Sequence, residues 1–407
     1  MKIKEISLSN FKSFKALRIS SDHAFGDLNL IYGYNNSGKS NLLKFLHILF
    51  KRKYGGKVVT ITENDGSTRT ISSFTEGATN FWEGQLTNSQ FLFNNNDTSV
   101  PIEFTVKFEE KKSVLPSNEN LNKIYKPNNE FIITGKFVNH SHNVSNVILI
   151  SSTLNGIEIF TRKGNDSVYF PAIKTLTGDS ILFEELLKSF NDSVVIIDSD
   201  RYFSSESDNP DNRELNPKNF KNWLFQLYLD PVTYEKYNDL ILSLEDFKPK
   251  ASSSKPLLDS NFKNYPLNNI DLGFTKTKDD LSIMLNKIGR YPIESYGTGV
   301  QQIMYILAKF IYSNPKILLI EELELNLSPE YQTELLNYLK HLCDLSSNNL
   351  EQILFTSHSA YMVKNTKVDK FYAVTINDHG ESNARLLPRT AAETYFDSPA
   401  MQEIFNV

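Results

Sequence analysis

Eight residues near the start of the chain, Gly33-Tyr34-Asn35-Asn36-Ser37-Gly38-Lys39-Ser40, have the spacing G-x-x-x-x-G-K-S, and each residue type suits the capture of a polyphosphate. Gly33 and Gly38 let the backbone curl so that successive N–H groups face an anion at the positive end of the next helix. Asn35, Asn36 and Ser37 span the loop and Asn41 follows it. Lys39 brings a point charge to the β and γ phosphates, and the Ser40 hydroxyl is a ligand for Mg²⁺. A nucleoside triphosphate is the expected ligand.

A second group lies far along the chain. The apolar run Ile317-Leu318-Leu319-Ile320 ends in Glu321 and Glu322, an arrangement that serves a Mg-nucleotide site at a strand terminus. Glu321 would hold the metal through water, and Glu322 would polarise the attacking water as general base. Upstream, Ser295-Tyr296-Gly297-Thr298-Gly299 opens a helical run, and a small-residue turn at a helix N-terminus is a further anion-binding device. Downstream, Thr356-Ser357-His358-Ser359 sets a histidine at a strand's C-terminal edge, where ligands bind in open α/β sheets. Taken singly, each has an ordinary alternative: exposed acids opening a turn, a routine helix cap, a structural histidine.

These residues need elements to hold them. Leu28 to Tyr32 reads as the strand before the phosphate loop and Leu42 to Phe50 as the helix after it. A polar, β-rich stretch follows. Val58 to Thr62 and Thr68 to Phe74 flank Asn64-Asp65-Gly66, and Val144 to Ile150 and Ile157 to Arg162 flank Asn155-Gly156, which predicts two hairpins. With Ile102 to Phe108 and Phe131 to Phe137 they suggest an antiparallel subdomain. From about residue 177 to 290 the spacing of Phe183, Leu186, Leu187 and Phe190, and of Trp223, Leu224, Leu227 and Tyr228, turns helical. The expected organisation is residues 1–176, 177–290 and 291–407.

Composition narrows the class. With 407 residues, 40% hydrophobic and 22% charged, the sequence reads as soluble and globular. A formal charge of -5 argues against nonspecific nucleic-acid binding over the whole surface, although residues 1–54 hold ten Lys/Arg against three Asp/Glu. Cys343 is the only cysteine, which points to a reducing, cytoplasmic setting. No apolar run approaches the roughly 18 residues needed to cross a bilayer, so no membrane partner is expected.

In this order the phosphate loop, SYGTG, ILLIEE and TSH resemble the motifs of ABC-type ATPase heads of the SMC, RecF and OLD group, and the opening FKSF beside a strand looks like theirs too. The resemblance covers roughly residues 1–50 and 290–376. It implies an α/β fold, an ABC-type P-loop ATPase head with an antiparallel β-subdomain and a helical insertion, using ATP and Mg²⁺. Two such heads sandwich two ATP molecules. Carried over, Ser295, Gly297 and Gly299 would act across the interface on the γ-phosphate, and His358 would sense that phosphate. Leu325 to Ser328 would cross to the opposing head, and Lys12 and Ser13, in the loop Asn10 to Phe14, would lie near the adenine. Gln85 and Gln90 are candidates for the glutamine loop.

The spelling departs from the family in places. Glu321 replaces the commoner aspartate, as in the OLD-like branch, but Leu323 and Ser328 stand where that branch has proline and histidine; the longer acid implies water-mediated metal contact and slow turnover. OLD enzymes carry a C-terminal Toprim nuclease, for which the residues after His358 are too few. Val194 to Ile197 ending in Asp198-Ser199-Asp200 keeps open a metal site and an intrinsic nuclease; the family reading instead makes it a strand of the head, with Arg201 near phosphate. The resemblance is closest to the ATPase subunits of PARIS-type anti-phage systems, AriA-like chains that assemble as oligomeric scaffolds. These would hold a separate Toprim-like, AriB-like nuclease and release it when a phage trigger protein is sensed. The alternative is a RecF-like clamp for duplex DNA in repair.

Overall fold

The structure, a computed structural model, describes residues 1–50, 55–62, 68–75, 89–111, 126–141, 144–163, 167–169, 193–201, 215–246, 271–274, 281–284, 290–292, 296–345 and 349–388. The chain divides into two compact units. The first takes Met1–Val194, Glu351–Leu354 and Val368–Ala392, and the second Val195–Leu350, Phe355–Lys367 and Glu393–Val407.

The first unit opens with β1 (Lys2–Phe11), β2 (Phe14–Ile19), β3 (Leu28–Tyr32) and α1 (Lys39–Phe50), followed by β4 (Gly55–Thr62), β5 (Thr68–Thr75), β6 (Ile102–Lys111), β7 (Asn128–Ser141), β8 (Val144–Leu154), β9 (Ile157–Lys163) and β10 (Ser167–Tyr169). Seven of these strands form one sheet in the order β10-β9-β8-β7-β6-β1-β2, antiparallel throughout. Period-two patterning builds it: Ile102, Phe104, Val106 and Phe108 are buried along β6, and Ile102 faces Phe137 while Phe108 faces Phe131 across the ladder. Both expected hairpins are present. β4 and β5 pair from Gly55↔Thr75 to Thr62↔Thr68 as a separate two-stranded sheet. β8 and β9 are joined by Asn155 and Gly156 at φ 52° and 80°, the left-handed pair that a tight hairpin needs.

Against that sheet lies the apolar face of α1. Leu42, Leu43, Phe45 and Leu46 are fully buried, and the Phe45 ring sits 5.4 Å from Phe11, 5.8 Å from Phe104 and 6.1 Å from Phe137. The helix that carries Lys39 and Ser40 is thereby fixed by an aromatic cluster on β1, β6 and β7.

The second unit contains β11 (Val194–Ile197, from its second residue), α2 (Phe220–Leu229), α3 (Tyr234–Asp246), β12 (Asp271–Phe274), β13 (Leu281–Met284), β14 (Arg290–Pro292), α4 (Thr298–Ser313), β15 (Ile317–Ile320), α5 (Pro329–Asp344), the end of β16 (Gln352–Ser357) and α6 (Ala360–Asn365). β11, β15 and β16 are consecutive in their sheet. α4 is buried on all sides from Val300 to Phe310, which marks it as a core helix. Its aromatic residues meet α2: Phe220 lies 6.3 Å from Tyr305 and Trp223 5.3 Å from Tyr312. Residues 177–290, expected to be mainly helical, contain α2, α3 and, at Val194–Ile197, the strand read there, β11, but also the antiparallel sheet β12-β13-β14, which ends just beyond them at Pro292. Short apolar runs such as Leu281–Met284 carry no period that separates strand from helix. Phe183 to Phe190 lie outside the described residues.

The chain then returns to the first unit with β17 (Lys370–Ile376), parallel to β3 through Leu30↔Phe371 and Ile31↔Tyr372, and β18 (Ser382–Leu387), antiparallel to β17. β3 is buried at all five positions, as a strand covered on both faces must be. Among the described residues no helix is long and apolar enough to cross a membrane.

Candidate functional site: the phosphate loop and an acidic strand end

In the first unit, β3 delivers the chain into the loop Gly33 to Gly38 and α1 takes it away. Asn36 has φ 63° and Gly38 φ 100°, so the loop curls twice into the left-handed region. A Cβ on Gly33 would run into the Val374 carbonyl and come 2.6 Å from Ser37 Oγ, closer than any side chain tolerates. Lys39 is 4% exposed, and its ammonium donates to the Gly33 and Tyr34 carbonyls, each at 2.7 Å. Asn35 and Asn36 are exposed, Ser37 is buried, and Ser40 and Asn41 are half-buried in the first turn of α1.

The loop Asn10 to Phe14 closes on this turn. Asn10 and Lys12 adopt φ 57° and 49°. Asn41 Nδ2 donates to Ser13 Oγ at 2.8 Å, and the Lys12 backbone is gripped by Leu92 O at 2.7 Å and by the Asn94 amide at 2.6 Å. Asn94 is buried and serves as this buckle. Lys12 and Ser13 therefore sit beside the phosphate loop. Gln90 lies in a short 3-10 turn at Ser89–Leu92, while Gln85 is outside the described residues.

In the second unit β15 ends at Ile320, and Glu321 follows with 3% exposure, its N–H donating to Ile197 O at 2.9 Å. Glu322 is half-buried and has φ 45°, a conformation costly for a residue with a Cβ. It is held there from two sides. Its N–H donates to Thr356 Oγ1 at 2.9 Å, and its carbonyl accepts from Arg201 Nη2 at 2.8 Å. Arg201 is fully buried and also donates to the carbonyls of Glu321 and of Asp198. Burial pushes its guanidinium down to about 10, with Glu324, Tyr305, Glu321 and Glu322 opposing that shift, so it stays cationic at neutral pH. Arg201 is thus a buttress under the two acids: its Nε and Nη2 end on backbone carbonyls of its own unit, and Nη1 is buried without a hydrogen-bond partner among the described residues.

His358, at the end of β16, is 44% exposed, and its partner is a residue that the sequence reading passed over. Glu324 Oε1 accepts the His358 backbone N–H at 2.6 Å and lies 3.0 Å from Nδ1 as an ion-pair contact. Burial works to raise the Glu324 carboxyl, and the hydrogen bonds from the His358 side chain and backbone outweigh it, leaving the group below its ordinary value. The signal was a third acid three residues beyond Glu321, whose burial no local pattern reveals.

Gly297 caps α4 and is exposed, with open space where a Cβ would stand. Gly299 is tighter: its Cβ would come 3.0 Å from the Asn326 carbonyl, in the loop after the acids. Ser295 lies outside the described residues. Asp198 and Asp200 are both exposed, and among the described residues no three His, Cys, Asp or Glu side chains gather to hold a metal.

The residues fit a Mg-nucleotide on the chemistry of their donors. The first turn of α1 holds no acid and is led by Lys39 and Ser40, so that helix terminus favours an anion. Ser40 offers one hydroxyl at that terminus, in keeping with an ion that retains water and phosphate oxygens as ligands and needs no all-protein cage; in the second unit, Glu321 offers a buried carboxylate.

Residues 1–363 match the AAA ATPase domain family, AAA_15. A protein of Helicobacter pylori described as an ATP/GTP phosphatase is 24% identical over 400 residues, covering 89% of this chain and 86% of that protein. Among solved structures, the SMC head domain from Thermotoga maritima is 15% identical with a TM-score of 0.42, covering 95% of this chain and 100% of that one. A Smc head with an extended coiled coil, bound to the C-terminal domain of ScpA derived from Pyrococcus furiosus, is 12% identical with a TM-score of 0.49, covering 97% and 98%.

Proposed function

The chain belongs to the AAA_15 family of AAA ATPase domains, and from that premise we propose that it is an ATP-driven switch, an oligomeric sensor and scaffold of bacterial anti-phage defence that acts through a separate nuclease. The observation that carries the hydrolytic part is Glu322, an acid kept at φ 45° by Thr356 and Arg201. Strain of that kind persists only where surrounding contacts enforce it, and it fixes the backbone from which a carboxylate projects at the end of a buried strand.

In this reading the loop amides from Gly33 to Ser40 and the Lys39 ammonium bind the phosphates of ATP. Lys12 and Ser13 border the nucleotide, and Asn35, Asn36, Ser37, Gly38 and Asn41 shape its cradle. Ser40 gives a hydroxyl and Glu321 a water-mediated carboxylate to Mg²⁺, which when bound neutralises charge on the β and γ oxygens. Glu322 takes the proton of the attacking water. Glu324 engages the Nδ1 side of His358, leaving Nε2 as the nitrogen that reads the γ-phosphate. Ser295, Gly297 and Gly299 serve a second copy's ATP, so two heads must meet for turnover.

The defence role is supported by the spelling of SYGTG, ILLIEE and TSH in their order. The DNA-repair reading draws on the ten basic residues before position 55; of these, Lys2, Lys4 and Lys15 are paired with Asp27, Glu109 and Glu381, which lowers the charge left for phosphates. The test expresses the chain with the proteins encoded beside it in phage-challenged cells, wild type against Lys39→Ala. We expect a nuclease to co-purify with the wild type and protection to vanish in the variant. Absence of any such partner, together with hydrolysis that duplex DNA stimulates and salt abolishes, would favour the clamp.

A further inference from the structure

Ser382, the first residue of β18, lies 345 positions from the phosphate loop in sequence and makes short bonds to it and to its neighbour. Its hydroxyl donates to the Ser37 carbonyl at 2.6 Å, and its backbone N–H donates to the Ser13 carbonyl at 2.7 Å. Asn41 reaches Ser13 Oγ at 2.8 Å and donates its own N–H to Gly38 O at 3.0 Å. Ser37, Gly38, Asn41, Ser13 and Ser382 thus form one closed circuit. Its centre leaves no room: a Cβ on Gly38 would strike Ser382 Oγ and approach Ser13 Oγ to 2.6 Å.

Ser382 is itself held firmly. It is 4% exposed, and the turn before it is closed on Asn377, whose Oδ1 accepts from Glu381 N at 2.8 Å and from His379 N at 3.0 Å. Gly380 supplies the positive φ of 76° that this turn requires.

We propose that Ser382 is a positioning residue for nucleotide binding, a clamp that locks the phosphate loop in its anion-ready curl before ATP arrives. The proposal rests on the ATPase reading. Without the hydroxyl, the buried Ser37 carbonyl loses its donor and the loop samples other curls, so apparent affinity falls by the fraction of time the binding form is lost. Ser382 would touch no phosphate, so chemistry on bound ATP is untouched.

The experiment compares wild type, Ser382→Ala and the neighbouring control Glu381→Gln. It measures the dissociation constant for a non-hydrolysable ATP analogue, kcat at saturating ATP, and amide hydrogen exchange without nucleotide. Ser382→Ala should weaken binding roughly three- to tenfold, the effect of one buried hydrogen bond, with kcat near wild type and faster exchange confined to segments 12–13 and 33–41. Glu381→Gln should behave as wild type. Unchanged affinity and exchange in Ser382→Ala would overturn the clamp, as would loosening spread evenly through the unit. A wild type that binds no analogue would overturn the nucleotide reading itself.

Discussion

At the level of single residues, Glu322 and Glu324, two acids beyond β15, are held in different ways. Glu322 is strained and fixed through its backbone, which leaves its carboxylate to act. Glu322→Gln keeps the size and hydrogen-bonding reach of the side chain but removes its basicity, so ATP should bind with near-native affinity while turnover falls by about 10² or more; equilibrium binding and phosphate release measure the two separately, and undiminished release removes Glu322 from its role. Glu324 acts differently, holding His358 by the ring and by the backbone. Its carboxyl lies below the ordinary value, so the anion is favoured in the folded state. The stability that it contributes is complete above the usual carboxylate range and is lost as pH falls through the depressed value. Urea midpoints of wild type and Glu324→Gln should therefore differ at neutral pH and converge in acid, and a gap that widens on acidification contradicts the pairing. Lys39 and its loop were readable from spacing alone. Glu324 was not, because nothing local distinguishes a buried acid from an exposed one in a turn.

Among the elements, α1 matters most to the site, because it presents Lys39 and Ser40 from a face pinned by Phe45. Phe45→Ala removes a ring buried among three others, and should cost about 3–5 kcal/mol, read as a lowered denaturant midpoint with unchanged slope. Because the loss falls on the helix that begins the phosphate site, ATP affinity should drop with it; a stability change under 1 kcal/mol would mean that the cluster repacks. The hairpins at β4–β5 and β8–β9 were legible because turn residues and alternation announce them. The sheet β12-β13-β14 was not, since runs of three or four residues cover at most two strand periods and about one helical turn, too few to tell the two patterns apart. Nor did the sequence reveal that β1 and β2 continue the antiparallel subdomain as one sheet of seven strands, because pairing between β1 and β6 spans some ninety residues of intervening chain.

For the molecule as a whole, the family match across residues 1–363 places the phosphate loop, the acids and His358 within one ATPase domain, although the chain divides into two units along its length. The proposed sandwich of two heads predicts a mass that changes with nucleotide. Glu322→Gln with ATP and Mg²⁺ should at least double its mass by light scattering, and adding Gly297→Glu, an exposed position with open space around it, should keep it at the nucleotide-free mass. Assembly indifferent to both would end the sandwich.

Local spelling determined that this chain handles a triphosphate: curl, charge and hydroxyl occur within eight consecutive residues, and an apolar strand running into paired acids needs only its own neighbours to be recognised. Tertiary structure decided what holds those pieces in place. Ser382 reaches Ser37 across 345 residues, Arg201 reaches Glu321 across 120, and Glu324 reaches the His358 backbone across 34. Each of these partnerships depends on which side chains packing brings within a hydrogen bond's length, and no periodicity or motif spacing encodes that.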